Sequence, residues 1–154
     1  FLLFKYFKGR DGEIVGIQKP EIPIDIYFLN QLNNLEKKKY LESRKYKDFY
    51  TELSEIFRGY LELRFNIPAL ESSTYDLKIL LNDLNIKEEW LNDFLRNCDI
   101  VKFAKGVPSD EASIVFLKKM RYFIKHYAIQ AAEDFEQEES NKTPNINKLK
   151  KYIK

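Results

Sequence analysis

Two residues carry the side chains best suited to catalysis in this sequence, the single histidine His126 and the single cysteine Cys98. A Ser-His-Asp triad would need His126 as its base, and one chain has no second histidine for a two-histidine metal site. His126 follows Tyr122 by four residues, which predicts a position on the flank of a helix, away from its apolar stripe. Cys98 follows Leu95 and Phe94 by three and four residues, which favours a buried thiol over a nucleophile.

Motifs for nucleotide and zinc chemistry are absent from the 154 residues. The sequence contains no Walker A motif, no Gly-x-Gly-x-x-Gly and no His-Glu-x-x-His. A single cysteine excludes a disulfide scaffold and a cysteine-based zinc site within one chain, and it is typical of a reducing compartment such as a bacterial cytoplasm. We therefore predict that the protein is not an enzyme and that it uses no cofactor.

One cluster of basic residues could bind phosphate groups. With Glu42 between them, its six members contribute a local charge of +5 to a chain whose net charge is +2. The cluster consists of Lys37, Lys38, Lys39, Arg44, Lys45 and Lys47. Two interpretations stay open: a surface for nucleic acid or anionic lipid, and a solvated helix end whose lysines stabilise the helix C-terminus.

The elements that position these residues are predicted to be helices. Gly and Pro occur five times each, and Leu, Ile, Lys, Glu and aromatic residues dominate, which argues against a Gly-rich β-sandwich. Apolar residues recur every three or four positions, which predicts an all-α fold, a single bundle of about five amphipathic helices. The predicted helices run from Ile24 to near Lys39, from after Ser43 to Phe65, from Ser73 through Leu84, from about Lys87 to Phe103, and from Ser109-Asp110-Glu111 past Ala131.

The predicted core joins the second helix to the fourth and fifth. The second helix has the strongest periodic pattern in the chain, and we expect its stripe to face apolar residues of the other two helices. The residues expected in this shared core are Leu53, Ile56, Phe57, Tyr60 and Leu61, facing Leu95, Phe116 and Met120.

The sequence divides into four segments around this bundle. Residues 1–8 combine aromatic residues with Lys5 and Lys8, a pattern typical of the cytoplasmic end of a transmembrane helix, although a hydrophobic element packed on the domain would also fit. Residues 9–23 hold three glycines and two prolines and are predicted to be a linker, with a short extended segment near Ile14 and Val15. Residues 24–135 form the bundle domain, and residues 136–154 are predicted to be a polar, charged tail.

Two stretches of the chain resemble the cytoplasmic domains of bacterial membrane proteins encoded in aerotolerance (Bat-type) operons. The first is YTELSEIFRGYLELRFNIPALE at 50–71, with Thr74 beyond it, and the second is DIVKFAK at 99–105, followed by Pro108. The resemblance covers roughly residues 25–127. Gly59 departs from it, since a bulkier or basic residue is usual at that position.

The resemblance implies a non-enzymatic module on the cytoplasmic face of the inner membrane, tethered by a single helix. Its implied partners are a MoxR-type AAA+ ATPase and membrane proteins with von Willebrand factor A domains. We expect the charged residues of the two stretches to contact a partner or to maintain the shape of the bundle: Arg58, Arg64, Glu71, Asp99, Lys102 and Lys105. The alternative function is nucleic-acid binding through the basic cluster at 37–47.

Several of these charged residues also have simpler predicted partners along the chain. Arg58 has Glu55 and Glu62 within three and four positions on its own helix, a spacing that allows ion pairs. Arg64 and Glu71 flank the turn at Pro68 and could pair across it. Asp99 and Lys102 have the i,i+3 spacing of an ordinary helical pair.

Overall fold

The computed structural model describes residues 21–142 and the backbone of two short strands that precede them. The strands, β1 (Phe7–Lys8) and β2 (Ile14–Val15), pair antiparallel. The helices are α1 (Ile24–Lys37), α2 (Tyr46–Phe65), α3 (Thr74–Asp83), α4 (Glu89–Phe103) and α5 (Asp110–Lys142). The prediction of an all-α bundle of five helices is confirmed.

The predicted terminal segments lie largely outside the described residues. The structure does not describe residues 1–6, 9–13, 16–20 and 143–154. Of the predicted segment 1–8, it therefore describes only β1. No helix in the described part of the chain combines the length and the apolar character that a membrane span requires. At the other end, α5 continues as a helix past residue 135 to Lys142.

Helix α2 lies at the centre of the bundle. Helix α1 packs antiparallel to it, since Phe28 contacts Tyr60 near the end of α2 while Lys38, just beyond α1, reaches Glu52 nearer its start. Helix α5 runs parallel to α2, and α4 runs antiparallel to α5. Helix α3 packs only on α4 among the described helices.

The predicted core is confirmed. All eight residues expected to share it are buried, and they belong to one cluster with residues of every helix. Rings from α1, α2, α4 and α5 meet edge to face at centroid distances of 5.6–6.1 Å, an arrangement that adds to the free energy gained by burying their area. The rings are Phe28, Phe57, Tyr60, Phe94, Phe116 and Phe123.

Gly59 allows α1 to approach α2 closely. A Cβ atom built on Gly59 would lie 3.2 Å from Cε1 of Phe28, tighter than an ordinary contact. The ring of Phe28 therefore occupies the space where a side chain would stand at position 59. This packing is a physical reason for the glycine where the resemblance leads us to expect a larger residue.

The helix ends follow the predicted signals in part. Ser73 caps α3, accepting a hydrogen bond from the Asp76 N–H at 3.1 Å as its spacing predicts. Helix α4 ends before Gly106, but the left-handed residue there is Lys105, with φ of 51°. A Cβ atom on Gly106 would lie 2.1 Å from Cγ2 of Ile100, so a larger residue at this position would require the Ile100 side chain to move.

Two buried tyrosines connect α2 to its neighbours by hydrogen bonds. The hydroxyl of Tyr50 lies 2.8 Å from Oγ of Ser113, which itself donates to the carbonyl of Ser109 at 2.9 Å, so Tyr50 is the donor in the first bond. The hydroxyl of Tyr60 lies 3.1 Å from Asp25 of α1 and 3.4 Å from the Ile124 carbonyl of α5. Burial raises the pKa of both phenols, that of Tyr50 to about 12.

Tyr50→Phe should make the stability of the protein less sensitive to alkali. Because the pKa of Tyr50 is higher in the folded chain than the ordinary value of 10, its stabilising contribution is complete below pH 10 and is lost as pH rises through about 12. We expect the variant to be about 1 kcal/mol less stable at pH 7. Between about pH 9 and 12, it should lose up to about 2.7 kcal/mol less stability than the wild type.

The measurement is urea unfolding followed by circular dichroism at several pH values. Tyr75→Phe is the matched control, since Tyr75 is 73% exposed. Parallel loss of stability in the Tyr50→Phe variant and the wild type above pH 10 would contradict the assignment.

Candidate functional site

The two residues best suited to catalysis lie in different surroundings. Cys98 is 3% exposed, and burial raises the pKa of its thiol to about 12, so the thiol is protonated at neutral pH. His126 is exposed and stacks on Tyr122 with ring centroids 6.2 Å apart. Both placements confirm the sequence predictions. Within residues 21–142, no three His, Cys, Asp or Glu side chains are grouped as a metal site requires.

Arg58 binds the loop between α2 and α3, which corrects the prediction of ion pairs with Glu55 and Glu62. One nitrogen of its guanidinium donates to the carbonyls of Ala69 and Ser72, at 2.7 and 2.6 Å. The group is half-buried, and burial lowers its pKa, although Cys98 and Asp99 nearby act in the opposite direction. Arg58 thus holds a loop that has no backbone ladder of its own.

Glu62 binds the same loop from the next turn of α2. Its Oε1 accepts a hydrogen bond from the backbone N–H of Leu70 at 2.8 Å, while its Oε2 is buried without a hydrogen-bond partner among the described residues. Burial raises the pKa of this carboxyl, and the negative charge of Glu71 raises it further. Arg58 and Glu62 together therefore fix both the carbonyl and the amide groups of the α2–α3 loop.

Arg64 connects α2 to α5 rather than to Glu71, so the prediction of a pair across the turn is wrong. Its guanidinium donates to the carbonyl of Tyr127 at 2.7 Å, and its Nε is buried without a hydrogen-bond partner in the described part of the chain. Glu71 is exposed in the α2–α3 loop. Arg64 therefore lies apart from the other charged residues predicted to contact a partner.

Asp99 binds α3 instead of Lys102. Its carboxylate accepts a hydrogen bond from the hydroxyl of Thr74 at 3.0 Å, which joins the first turn of α3 to the last turns of α4. Lys102 lies near enough to Cys98 to influence its pKa and is itself exposed. These contacts bring Arg58, Glu71, Asp99 and Lys102 to one side of the bundle, with Lys105 at the adjacent end of α4.

The surface formed by residues 71–75 and 99–107 is the candidate functional site, and we name it the α3–α4 corner. Its most exposed large hydrophobic side chains are Phe103, 82% exposed, Tyr75, 73% exposed, and Val107, 70% exposed. Lys102 and Lys105 flank Phe103 and are exposed as well. Exposed aromatic rings are enriched at protein interfaces, whereas lysines are depleted there and fit the polar rim of such a surface.

Phe103 was predicted only as the end of the fourth helix, and its exposure is a finding of the structure. The signal for that exposure lies in its spacing: it follows Asp99 by four residues and therefore shares the polar face of α4, not the stripe of Cys98 and Val101. The backbone around it is held in place, since the N–H groups of Ala104 and Gly106 both donate to the carbonyl of Ile100. Phe103 is thus presented to solvent from a well-defined helix end.

The basic cluster at 37–47 lies at the junction of α1 and α2, and all six side chains are exposed. Acidic residues accompany it: Lys38 pairs with Glu52 at 2.7 Å, and Lys39 lies 3.8 Å from Glu42. These contacts reduce the positive potential that the sequence alone indicates.

Comparison with known proteins identifies no relative of this chain. No family model, curated protein or solved structure matches the chain.

Arg58→Met should destabilise the bundle far more than substitution of a surface arginine does. The change leaves the carbonyls of Ala69 and Ser72 without their charged donor, so we expect a loss of about 2–4 kcal/mol in the free energy of unfolding. Arg96→Met is the matched control, because Arg96 is exposed on α4 and its ion pair is with Asp93 three residues away. That control should change stability by less than about 0.5 kcal/mol.

Chemical denaturation of the two variants beside the wild type checks the expectation. Equal, small losses for Arg58→Met and Arg96→Met would show that the contacts to the loop are not needed for stability.

Proposed function

We propose that the protein is a non-enzymatic interaction module and that the α3–α4 corner binds its protein partner. The observation that carries the proposal is the exposed ring of Phe103 on a helix end whose backbone is fixed, with the exposed Lys102 and Lys105 close to it in the sequence. Because the backbone at Phe103 is already ordered, binding has to order only the side-chain rotamers when the ring enters a pocket of a partner, so more of the burial energy appears as affinity.

The chemistry of the corner also defines the partner's surface. Asp99 is bonded to Thr74, while Lys102 and Lys105, one and two residues from Phe103 in the sequence, are both exposed. The complementary surface is an apolar pocket bordered by carboxylates. Glu71, in the 71–75 part of the corner, repels carboxylates. We therefore expect the acidic groups of the partner to lie beside Lys102 and Lys105 and not beside Glu71.

The resemblance at 50–71 and 99–105 supplies the biological setting of the proposal. It suggests a domain on the cytoplasmic face of a bacterial inner membrane, attached through a single N-terminal helix. It also suggests a MoxR-type AAA+ ATPase and von Willebrand factor A membrane proteins as partners. The second of the two stretches coincides with the exposed face of α4 that ends at Phe103 and Lys105.

Phe103→Ala should weaken binding to the co-encoded partner while the fold persists. A buried aromatic anchor contributes about 2 kcal/mol or more at an interface, so we expect the Kd to rise by roughly thirtyfold. Lys102→Glu with Lys105→Glu should also raise it, and more strongly at low salt. The measurement is calorimetric titration of the purified MoxR-type ATPase, with circular dichroism as the test of folding.

Two controls test whether the effect belongs to the α3–α4 corner. Tyr122→Ala removes a similarly exposed ring from α5 and should leave the Kd unchanged. Cys98→Ser combined with His126→Gln should leave complementation of a deletion strain intact. Loss of function in that double variant, together with full binding by Phe103→Ala, would overturn the proposal.

The second candidate function, nucleic-acid binding, is favoured by the exposure of all six side chains of the basic cluster. We expect no complex with duplex DNA at physiological salt, since Glu42 and Glu52 already pair with two of the lysines. A titration monitored by fluorescence anisotropy checks this. A complex tighter than micromolar would make nucleic-acid binding the preferred function, if the logarithm of its binding constant falls against the logarithm of the salt concentration with a slope of roughly −0.9 per phosphate neutralised.

A further inference from the structure

The outer face of α5 carries an apolar stripe that the other described helices leave uncovered. Its members are Val115, Tyr122 and Ile129, which are 47%, 69% and 62% exposed. Tyr122 follows Met120 of the core by two residues, which places it about 200° around the helix, opposite the buried face. Large apolar side chains aligned on one exposed face, unlike scattered single ones, indicate an interaction surface.

The spacing of the stripe is that of a helix that packs along another helix. Its three members recur every seven residues. Seven residues complete two turns less about 20°, so residues at this interval form a seam that drifts slowly around the helix. From Val115 to Ile129 the stripe is about 21 Å long, at 1.5 Å per residue. Another helix is therefore the shape of partner that fits it.

The charges beside the stripe change sign along α5. Lys118 and Lys119 flank its first half, Glu133 and Glu136 follow its second half, and all four side chains are exposed. At about 100° per residue, Lys119 and Glu133 lie on one side of the stripe, while Lys118 and Glu136 lie on the other. The outer face of α5 is therefore basic at first and acidic in its distal part, which extends beyond the last buried residue, Ile124.

A second copy of this chain fits the stripe in both shape and charge. We propose that the protein forms a homodimer through antiparallel contact between the outer faces of α5, related by a two-fold axis near residue 126. This arrangement packs Tyr122 beside Ile129 of the partner subunit. It also sets Lys119 opposite Glu133 of the partner subunit and Lys118 opposite Glu136 of the partner subunit, and the symmetry repeats each contact.

The antiparallel direction is the one that uses these charges favourably. In a parallel pair, Lys118 and Lys119 would face their own copies, and so would the two glutamates, which disfavours that pairing. Antiparallel pairing also places opposite ends of the two helix dipoles side by side. Its cost lies at the centre, because Lys125 is one residue from the two-fold axis and approaches its own copy there.

The size of the contact indicates a weak dimer. The face from Val115 to Glu136 is about 32 Å long and about 10 Å wide, so the area buried by two copies falls below the standard range of about 1,200–2,000 Å². We therefore expect a dimer Kd on the order of 10–100 μM. The stripe shares no residue with the α3–α4 corner, so partner binding at the corner does not depend on the dimer.

The experiment is sedimentation equilibrium of the full chain at concentrations on both sides of this Kd. We expect a monomer–dimer equilibrium that weakens as salt screens the paired charges. Tyr122→Ala should raise the dimer Kd roughly tenfold, because it removes an aromatic ring near the centre of the contact. Phe135→Ala is the matched control: its ring is 65% exposed on a different face of the same helix, and its loss should leave the Kd unchanged.

Charge reversal tests the direction of the pair. Lys118→Glu with Lys119→Glu should dissociate the dimer, and so should Glu133→Lys with Glu136→Lys. The variant with all four changes should dimerise again, because each reversed charge then faces an opposite charge in the antiparallel pair. In a parallel pair the same four changes would still place like charges together.

Two further variants separate these contacts from a general effect of charge. Lys78→Glu with Lys87→Glu makes the same change of net charge at exposed residues outside α5, so the Kd should stay close to that of the wild type. Lys125→Ala removes the like charges near the two-fold axis and should lower the Kd a few fold. Circular dichroism checks that each variant is folded.

Three results would overturn the proposal. One is a chain that stays monomeric at about 1 mM, ten times the upper end of the expected Kd range. Another is failure of the variant with all four reversed charges to dimerise when each pair of reversals alone dissociates the dimer. The third is a dimer that Phe103→Ala dissociates and Tyr122→Ala does not, because the contact would then belong to the α3–α4 corner.

Discussion

The burial of α2 on several sides is the constraint on which the rest of the structure depends. Because α1, α4 and α5 all pack against it, few of the polar groups along α2 can be satisfied by water alone. Tyr50 and Tyr60 therefore bond to α5, and Tyr60 also to α1. Each of these bonds sets the position of a neighbouring helix along its axis, so the register of the bundle follows from the polar groups as much as from the apolar ones.

The same constraint explains why several charged residues of α2 bind neighbouring backbone instead of water. Arg58 and Glu62 hold the loop from 66 to 73, which lacks a regular hydrogen-bond pattern, and Arg64 holds α5. The N–H groups of Arg58 and Arg64 that donate to backbone carbonyls are not available to a partner, and both side chains are half-buried. The surface available for recognition is consequently shifted to the outer helices, where Phe103 and its neighbouring lysines lie.

The sign of the surface charge differs between the two ends of the described helices. The junction of α1 and α2 is basic and partly neutralised by its own glutamates, while distal α5 is rich in carboxylates. These carboxylates lie where the helix has left its neighbours, so they add repulsion without adding to the core.

The helices, their approximate ends and the core were determined by the sequence itself, because each depends on residues close together in the chain. The spacing of apolar residues on α2 already identified its buried face, and Ser73 with Asp76 already identified the start of α3. Buried Cys98 and exposed His126 followed from the same spacing. These features depend on the geometry of one helix at a time.

The partners of the charged residues were decided only by the tertiary structure. Arg58, Arg64 and Asp99 each had a plausible ion-pair partner three to seven residues away, yet their hydrogen bonds go to groups 11 to 63 residues away. The physical reason is that a half-buried charge gains more from satisfying loop and helix carbonyls in a dry environment than from an exposed pair that water screens. Which groups are dry depends on how five helices pack together, and no local pattern in the sequence contains that information.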